Sequence, residues 1–449
     1  MSSETSKGSF FRQSGWMVFA NLACGIFMFA VHPAYAPLMG DKQYGLFTAL
    51  LAMLNVLIIP SIGLQTTLAQ QTAAAISPEA QARLTGTVRA LLKWTFLLWL
   101  AVAAVTAVFQ KPLRDGLTIT NPWAVWFVVL FALTSLWMPI FYGVVQGRQN
   151  FLWLGLAQIL NGAGRFVAVG IIVIVFGGLA TGAIGGALIG VTLATLLAAW
   201  HSRAVWAARE HLPIDWKSWL GDVAPLTLAL GASQFIFSVD MILVRSIYGE
   251  EMTGFYGAAG MMGRGLVMFT APLIAVMFPK IVRSVAQGKQ SNVLFYTLAA
   301  TAALVVAGAA LCTMIGWALR QSVASPGFGA GWIPAAIIHK LNSHPEGVKT
   351  LGRLMIWFSW CMAPLAIANV LLNNLLARRA YGITPYAILV VAAYVTAAVC
   401  FADVSGPMKP EGGSFLRIVK VLGVFNTIFL ALTVYFTWRE SSRPAQSQT

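Results

Sequence analysis

Long runs of apolar residues alternate along this chain with short, charge-bearing connectors. A helix needs about 20 mostly apolar residues to cross the hydrocarbon core of a bilayer. Runs on that scale predict spans at roughly 14–39, 44–76, 91–109, 123–145, 151–176, 183–200, 223–248, 254–278, 293–319, 354–376, 383–401 and 415–438. The pattern predicts an all-α integral membrane protein of about 12 transmembrane helices. Pro60, Pro139, Pro272 and Pro364 fall inside spans, where proline is tolerated and marks bends.

Composition removes the soluble alternative. Hydrophobic residues make up 58% of the 449 and charged residues only 10%, against roughly 25% charged in soluble domains. Mean hydropathy is +0.77. No water-soluble fold of this length buries so much apolar surface and still presents a polar shell. The N-terminus has Ala34-Tyr35-Ala36 after an apolar stretch, as a signal peptide would. Pro37 would follow the cut, however, and the run from Gly15 is long for such a segment, so it reads as an uncleaved first helix. Cys24, Cys312, Cys361 and Cys400 stand singly in apolar runs with no metal or redox spacing, and read as packed thiols.

The net charge of +15 is a topology signal before it is a partner signal. Twelve spans place both termini on one side. That side carries sixteen lysines and arginines, the other ten, and Arg165, Arg245 and Arg264 fall within spans. The excess predicts cytoplasmic termini.

Two short segments recur. Gly40-Asp41-Lys42-Gln43-Tyr44-Gly45-Leu46-Phe47 follows the first span, and Gly249-Glu250-Glu251-Met252-Thr253-Gly254-Phe255-Tyr256 the seventh, with glycine, acid, glycine and aromatic at a common offset of 209. A second echo, Gln146-Gly147-Arg148 and Ala377-Arg378-Arg379, follows spans four and ten at an offset of 231, the difference falling in the longer loop at 320–352. Six helices separate the copies, which predicts two parallel six-helix lobes about an axis along the membrane normal. The expected division is an N-terminal lobe at 1–203, a charged, tryptophan-bearing cytoplasmic linker at 204–221 and a C-terminal lobe at 222–449.

Charges within the hydrocarbon region cost roughly 2.5–3.5 kcal/mol each on insertion scales and therefore mark pathways or locks. Arg165 lies mid-span with no acid in its own helix. Asp240 and Arg245 share span seven, and Arg264 follows the small-residue track Gly257-Ala258-Ala259-Gly260 in span eight. If Asp240 pairs with one arginine, two guanidiniums are left for water, backbone or ligand. A guanidinium binds phosphate bidentately and stays charged, so the excess points to an anionic substrate. Against this stands the reading of the arginines as helix locks or snorkelling groups: it suits Arg245, near its helix end, applies equally to Arg264, and suits Arg165 least. Asp240 reads either as a salt-bridge partner or as a coupling site for Na+ or H+. Amides such as Gln65, Gln158, Asn161, Asn369 and Asn374 serve as interhelical glue or line a path. Asn161 and Arg165, four apart, share one face of span five.

No catalytic or cofactor constellation stands out. His339 and His344 lie five apart in a loop with Glu346, a pattern that suits solvated residues better than a metal site. No P-loop, Gly-rich nucleotide turn or nucleophile–base set is present, and nothing suggests nucleic acid.

Tyr44-Gly45-Leu46-Phe47 with Pro60-Ser61-Ile62-Gly63-Leu64, Gly254-Phe255-Tyr256 leading to Phe278-Pro279-Lys280-Ile281, and Gln146-Gly147-Arg148 together resemble bacterial polysaccharide flippases. These belong to the multidrug/oligosaccharidyl-lipid/polysaccharide exporter (MOP) superfamily. The resemblance implies two six-helix lobes around a central cavity, alternating access, and a polyprenyl-diphosphate sugar held by cationic residues, in a bacterial or archaeal cell membrane. It also carries a departure. Family members often have a basic residue three to five positions after the aromatic of the eighth helix, whereas here Tyr256 is followed by Arg264, about a turn later. The expected function is therefore a non-enzymatic flippase with Arg165, Arg264, Asn161 and Arg245 as substrate contacts and Asp240 as coupling site or salt-bridge partner. One rival is a multidrug antiporter of the same superfamily, which would want acids rather than arginines in its path. The other is a sugar-polymer ligase or polymerase using the 320–352 loop.

Overall fold

The structure, a computed structural model, describes residues 2–40, 43–44, 46–47, 50–51, 54, 58–116, 119, 121–247, 250–289, 291–324, 345–401 and 413–442. Among these every regular element is a helix. They are α1 (Ser2–Met39), α2 (Ile58–Ala74), α3 (Pro78–Val108), α4 (Gln110–Gly116), α5 (Trp123–Gly147), α6 (Phe151–Gly170), α7 (Leu179–Trp206), α8 (Trp216–Ile247), α9 (Glu250–Ala286), α10 (Val293–Ala324), α11 (Pro345–Ala377), α12 (Thr384–Phe401) and α13 (Gly413–Ser441). A π turn at Ile171–Val175 follows α6.

Eleven helices of the described residues are long and apolar enough to cross a membrane. The predicted second span is covered in part: α2 has 17 residues, and residues such as Asn55 lie outside the description. About twelve spans is consistent with this. Helicity follows from the solvent, because hydrocarbon offers nothing to backbone amides and only helices satisfy them within one segment. Outward-facing Phe29, Ile174, Phe176, Leu196, Met261 and Leu389 are exposed, as a lipid-facing surface requires. Several helices outrun their apolar runs. The third span, predicted from 91, belongs to α3, which starts at Pro78 behind the N-cap Ser77, whose hydroxyl accepts from the Ala80 amide at 3.2 Å. Polar turns such as Glu79-Ala80-Gln81-Ala82-Arg83 are invisible to a hydropathy window but are good helix formers.

The chain forms two compact units, Met1–Thr227 with Ala275–Ser291, and Leu228–Ile274 with Asn292–Thr449. Residues 204–221 fall in the first. In that unit α6 packs between α1 and α7, while α5 packs against α2 and α7. Small residues permit the close approach. A Cβ added at Gly162 would lie 2.6 Å from the carbonyl oxygen of Cys24, and one at Gly190 would lie 2.5 Å from the Arg165 amide nitrogen. The connector after α7 is strapped down: Arg89 Nε donates to Trp206 O at 2.8 Å and Nη2 to Ala208 O at 2.5 Å, and the Leu212 amide donates to Ala82 O at 3.0 Å. In the second unit α11 packs against α10 and α13.

The second internal echo has a backbone counterpart. After α5, Gln149 has φ 60° and Asn150 N donates to Val145 O at 3.1 Å; after α11, Arg379 has φ 59° and Ala380 N donates to Leu375 O at 2.9 Å. Both helices close with the same left-handed residue and six-to-one bond. The two turns superimpose at an offset of 230, one residue less than the 231 read from the side chains, because φ and hydrogen bonding rather than residue type define the register. Phe47 and Tyr256, paired at offset 209, are both fully buried.

The close approach of α7 to α6 makes a prediction. Gly190→Val should destabilise the detergent-solubilised protein by about 1–3 kcal/mol through overpacking, while Gly221→Ala, with open space around it, should change little. Thermal unfolding checks both, and equal melting of the two variants would contradict the packing described.

Candidate functional site

Polar and charged groups inside an apolar bundle are the informative ones, since each must be partnered or serve some purpose. In the second unit, α8 and α9 bring together three of them. Asp240 is fully buried. Arg264 Nη2 straddles its carboxylate, 2.7 Å from Oδ1 and 2.6 Å from Oδ2, and the Tyr256 hydroxyl donates to Oδ2 at 2.7 Å. Arg264 Nε donates to Phe237 O at 2.9 Å. The rings of Phe237 and Phe358 lie 6.0 and 5.7 Å from the guanidinium carbon, and Tyr256 packs edge-on to Phe358 at 4.9 Å. The assembly is charge-balanced and walled by aromatics. It gives Asp240 a salt-bridge role and engages the guanidinium of Arg264. The side chain of Arg245, in the last turns of α8, lies outside the described residues, as do His339 and His344.

The first unit treats its charge differently. Arg165 sits on α6 with its guanidinium carbon 5.6 Å from the centroid of the Phe131 ring on α5. Among the described residues no carboxylate pairs with it, and its buried Nε has no hydrogen-bond partner. Cys24 and His32 of α1 are within its electrostatic reach, and His32 Nδ1 meets the Tyr44 hydroxyl at 2.8 Å. One turn before Arg165, Asn161 is 8% exposed and its Oδ1 is unpartnered; so is Oε1 of Gln158.

Of the other amides singled out in the sequence, Gln65 and Asn369 bond between helices, while Asn374 bonds the turn that ends its own helix. Gln65 Nε2 donates to Gln146 Oε1 at 2.9 Å, whose own Nε2 reaches Ala275 O at 3.0 Å. Ser233 donates to Asn369 Oδ1, and Asn374 Oδ1 accepts from Arg378 Nε at 3.2 Å. Sequence reasoning missed the Tyr256 hydroxyl as the third member of the Asp240 cluster, although its place in the repeated segment marked it as an interior residue. It also counted Gln158 among the ordinary amides. A cavity of about 700 Å³ lies among the ends of α2, α3, α5 and α7, with Arg148, Glu210 and Arg283 on its wall. Among the described residues no cluster of side chains suits a metal ion.

Comparison with known proteins adds the lineage. The family described as "polysaccharide biosynthesis protein" matches residues 10–285. No curated protein matches significantly. Among solved structures, a mutant of the Vibrio cholerae MATE transporter VcmN is 17% identical with a TM-score of 0.68, covering 98% of each chain. A multidrug resistance MATE family transporter of the MOP superfamily, in an outward-facing conformation, is 13% identical with a TM-score of 0.63, covering 97% of this chain and 96% of that one. A MATE protein in the straight conformation is 14% identical with a TM-score of 0.63, covering 96% of each. At such identities the likeness establishes the fold.

The Asp240 cluster generates a prediction of its own. Asp240→Ala leaves a buried guanidinium unpaired and should cost about 3–5 kcal/mol. The double variant Asp240→Leu with Arg264→Met should recover most of that. Chemical unfolding in detergent measures both, and a harmless single substitution would contradict the lock.

Proposed function

This chain belongs to the polysaccharide biosynthesis protein family, and from that premise we propose that it flips a polyprenyl-diphosphate-linked oligosaccharide from the cytoplasmic to the outer leaflet. Family and fold are those of a multi-pass membrane exporter of the MOP superfamily. Its partners include membrane lipids and a transported substrate. In the proposed reading the membrane is a bacterial or archaeal cell membrane, both termini are cytoplasmic, and the two lobes work by alternating access.

The observation that carries the reading is Arg165. A partly buried arginine with no acid beside it among the described residues and a buried, unpartnered Nε is costly in an apolar bundle unless an anion comes to it. Phosphate suits it best, because a guanidinium offers paired donors at the spacing of two phosphoryl oxygens. Arg264, already engaged by Asp240, serves in this reading as a structural element and not as a diphosphate ligand. Asp240, with both oxygens occupied, is correspondingly a poor site for Na+. The potential alone is a sufficient drive: two negative charges moving outward across an inside-negative membrane gain about 4–5 kcal/mol per 100 mV.

The fold shared with MATE transporters favours a second reading, export of a lipophilic cation. Native mass spectrometry separates the two. The purified protein should retain a polyprenyl-diphosphate oligosaccharide in preference to a lipophilic cation. Arg165→Ala should weaken that retention at least tenfold, the order expected for losing a charge-assisted hydrogen bond of roughly 1.5–3 kcal/mol, and Arg165→Lys should restore part of it. Retention of the cation, indifferent to Arg165, would replace this function with drug efflux.

A further inference from the structure

Unpartnered polar atoms are unevenly distributed between the two units. Among the described residues, buried side-chain oxygens and nitrogens without a partner number thirteen, and only those of Thr301, Tyr394 and Asn426 belong to the second unit. In the first unit three of them, Gln158 Oε1, Asn161 Oδ1 and Arg165 Nε, fall on α6 at spacings of three and four residues. Those spacings put them on one face of the helix, over a length of about 10 Å at 1.5 Å per residue.

Two observations argue against a purely structural role. Leaving a buried acceptor unpaired costs about 1–3 kcal/mol; the Gln65–Gln146 and Ser233–Asn369 pairs satisfy theirs, and Gln13 and Asn426 leave single oxygens unpartnered, whereas α6 gathers three such atoms on one face. The repeat also supplies a comparison. At the 230-residue offset set by the matching turns, Gln158, Asn161 and Arg165 correspond to Ile388, Val391 and Val395. The equivalent helix of the other unit, α12, thus does without the polar face, so the architecture does not require it.

We propose that this face of α6 is the specificity-determining surface for the hydroxylated part of the cargo, with Gln158 and Asn161 accepting hydrogen bonds from sugar hydroxyls beside the phosphate held by Arg165. The chemistry matches: unpartnered carbonyl oxygens are acceptors, a sugar offers a row of donors, and 10 Å accommodates about two sugar rings. The atoms are covered in this conformation, so the cargo meets them in a state that opens the first unit, where a hydroxyl relieves the unsatisfied carbonyl. The selectivity is of the strong kind, because a cargo lacking those hydroxyls leaves the acceptors unpaired. The inference rests on the flippase reading and names the part of the cargo that Arg165 does not touch.

The test compares two probes, polyprenyl diphosphate without sugar and the same lipid carrying an oligosaccharide, by native mass spectrometry on the full chain. Wild type should retain the glycosylated lipid more tightly. Gln158→Leu and Asn161→Leu should each reduce that preference by about two- to tenfold while binding the bare diphosphate as wild type does, which also demonstrates an intact fold. Arg165→Ala should weaken both lipids alike. For a leucine variant that does not fold, Gln158→Ser or Asn161→Ser replaces it under the same comparison. Unchanged preference, or equal weakening of both lipids by the α6 amide variants, overturns the inference and leaves the flippase reading standing. A wild type that retains neither lipid removes both.

Discussion

Hydrocarbon offers no hydrogen-bond partner and no screening, and that constraint shapes the chain at each level. It makes the backbone helical, because only helices close their own amide bonds within one segment. It removes the hydrophobic drive for helices to associate, so glycines such as Gly162 and Gly190 bring backbones into close contact instead. It also turns each interior charge into a problem to be solved locally. The two units solve it in opposite ways. Asp240 and Arg264 cancel one another inside an aromatic wall, with Tyr256 supplying a further donor. Arg165 has no such partner among the described residues.

The division of labour follows the internal repeat. Phe47 and Tyr256 occupy equivalent places and are equally buried, but the phenylalanine cannot donate to a carboxylate, and at offset 209 the counterpart of Asp240 is Val31. The lock is therefore a feature of one half only, and the polar face of α6 a feature of the other. In the proposed flippase the Asp240–Arg264 pair of the second unit is already neutralised, and the first unit carries the groups that await a ligand. The strap made by Arg89 and the Leu212 amide holds the connector to the first unit.

Much of this was legible in the residues. Span number, helical class, the turn repeat and the interior places of Arg165, Asp240 and Arg264 followed from hydropathy, spacing and the cost of burying charge. Helix ends did not, since the polar turns of α3 and α11 lie beyond any apolar window. Nor did the partner of Asp240, because Arg264 is 24 residues away across a helix pair. The unsatisfied state of Gln158 and Asn161 was not legible either. An amide that bonds a neighbour and one that bonds nothing have the same letter, and only packing separates them.

The most direct measurement is leaflet-to-leaflet transfer of a fluorescent polyprenyl-diphosphate sugar in proteoliposomes, with and without an imposed membrane potential. The account predicts protein-dependent transfer that accelerates when the potential pushes negative charge in the export direction. Transfer at the rate of protein-free vesicles, under either potential, would contradict it.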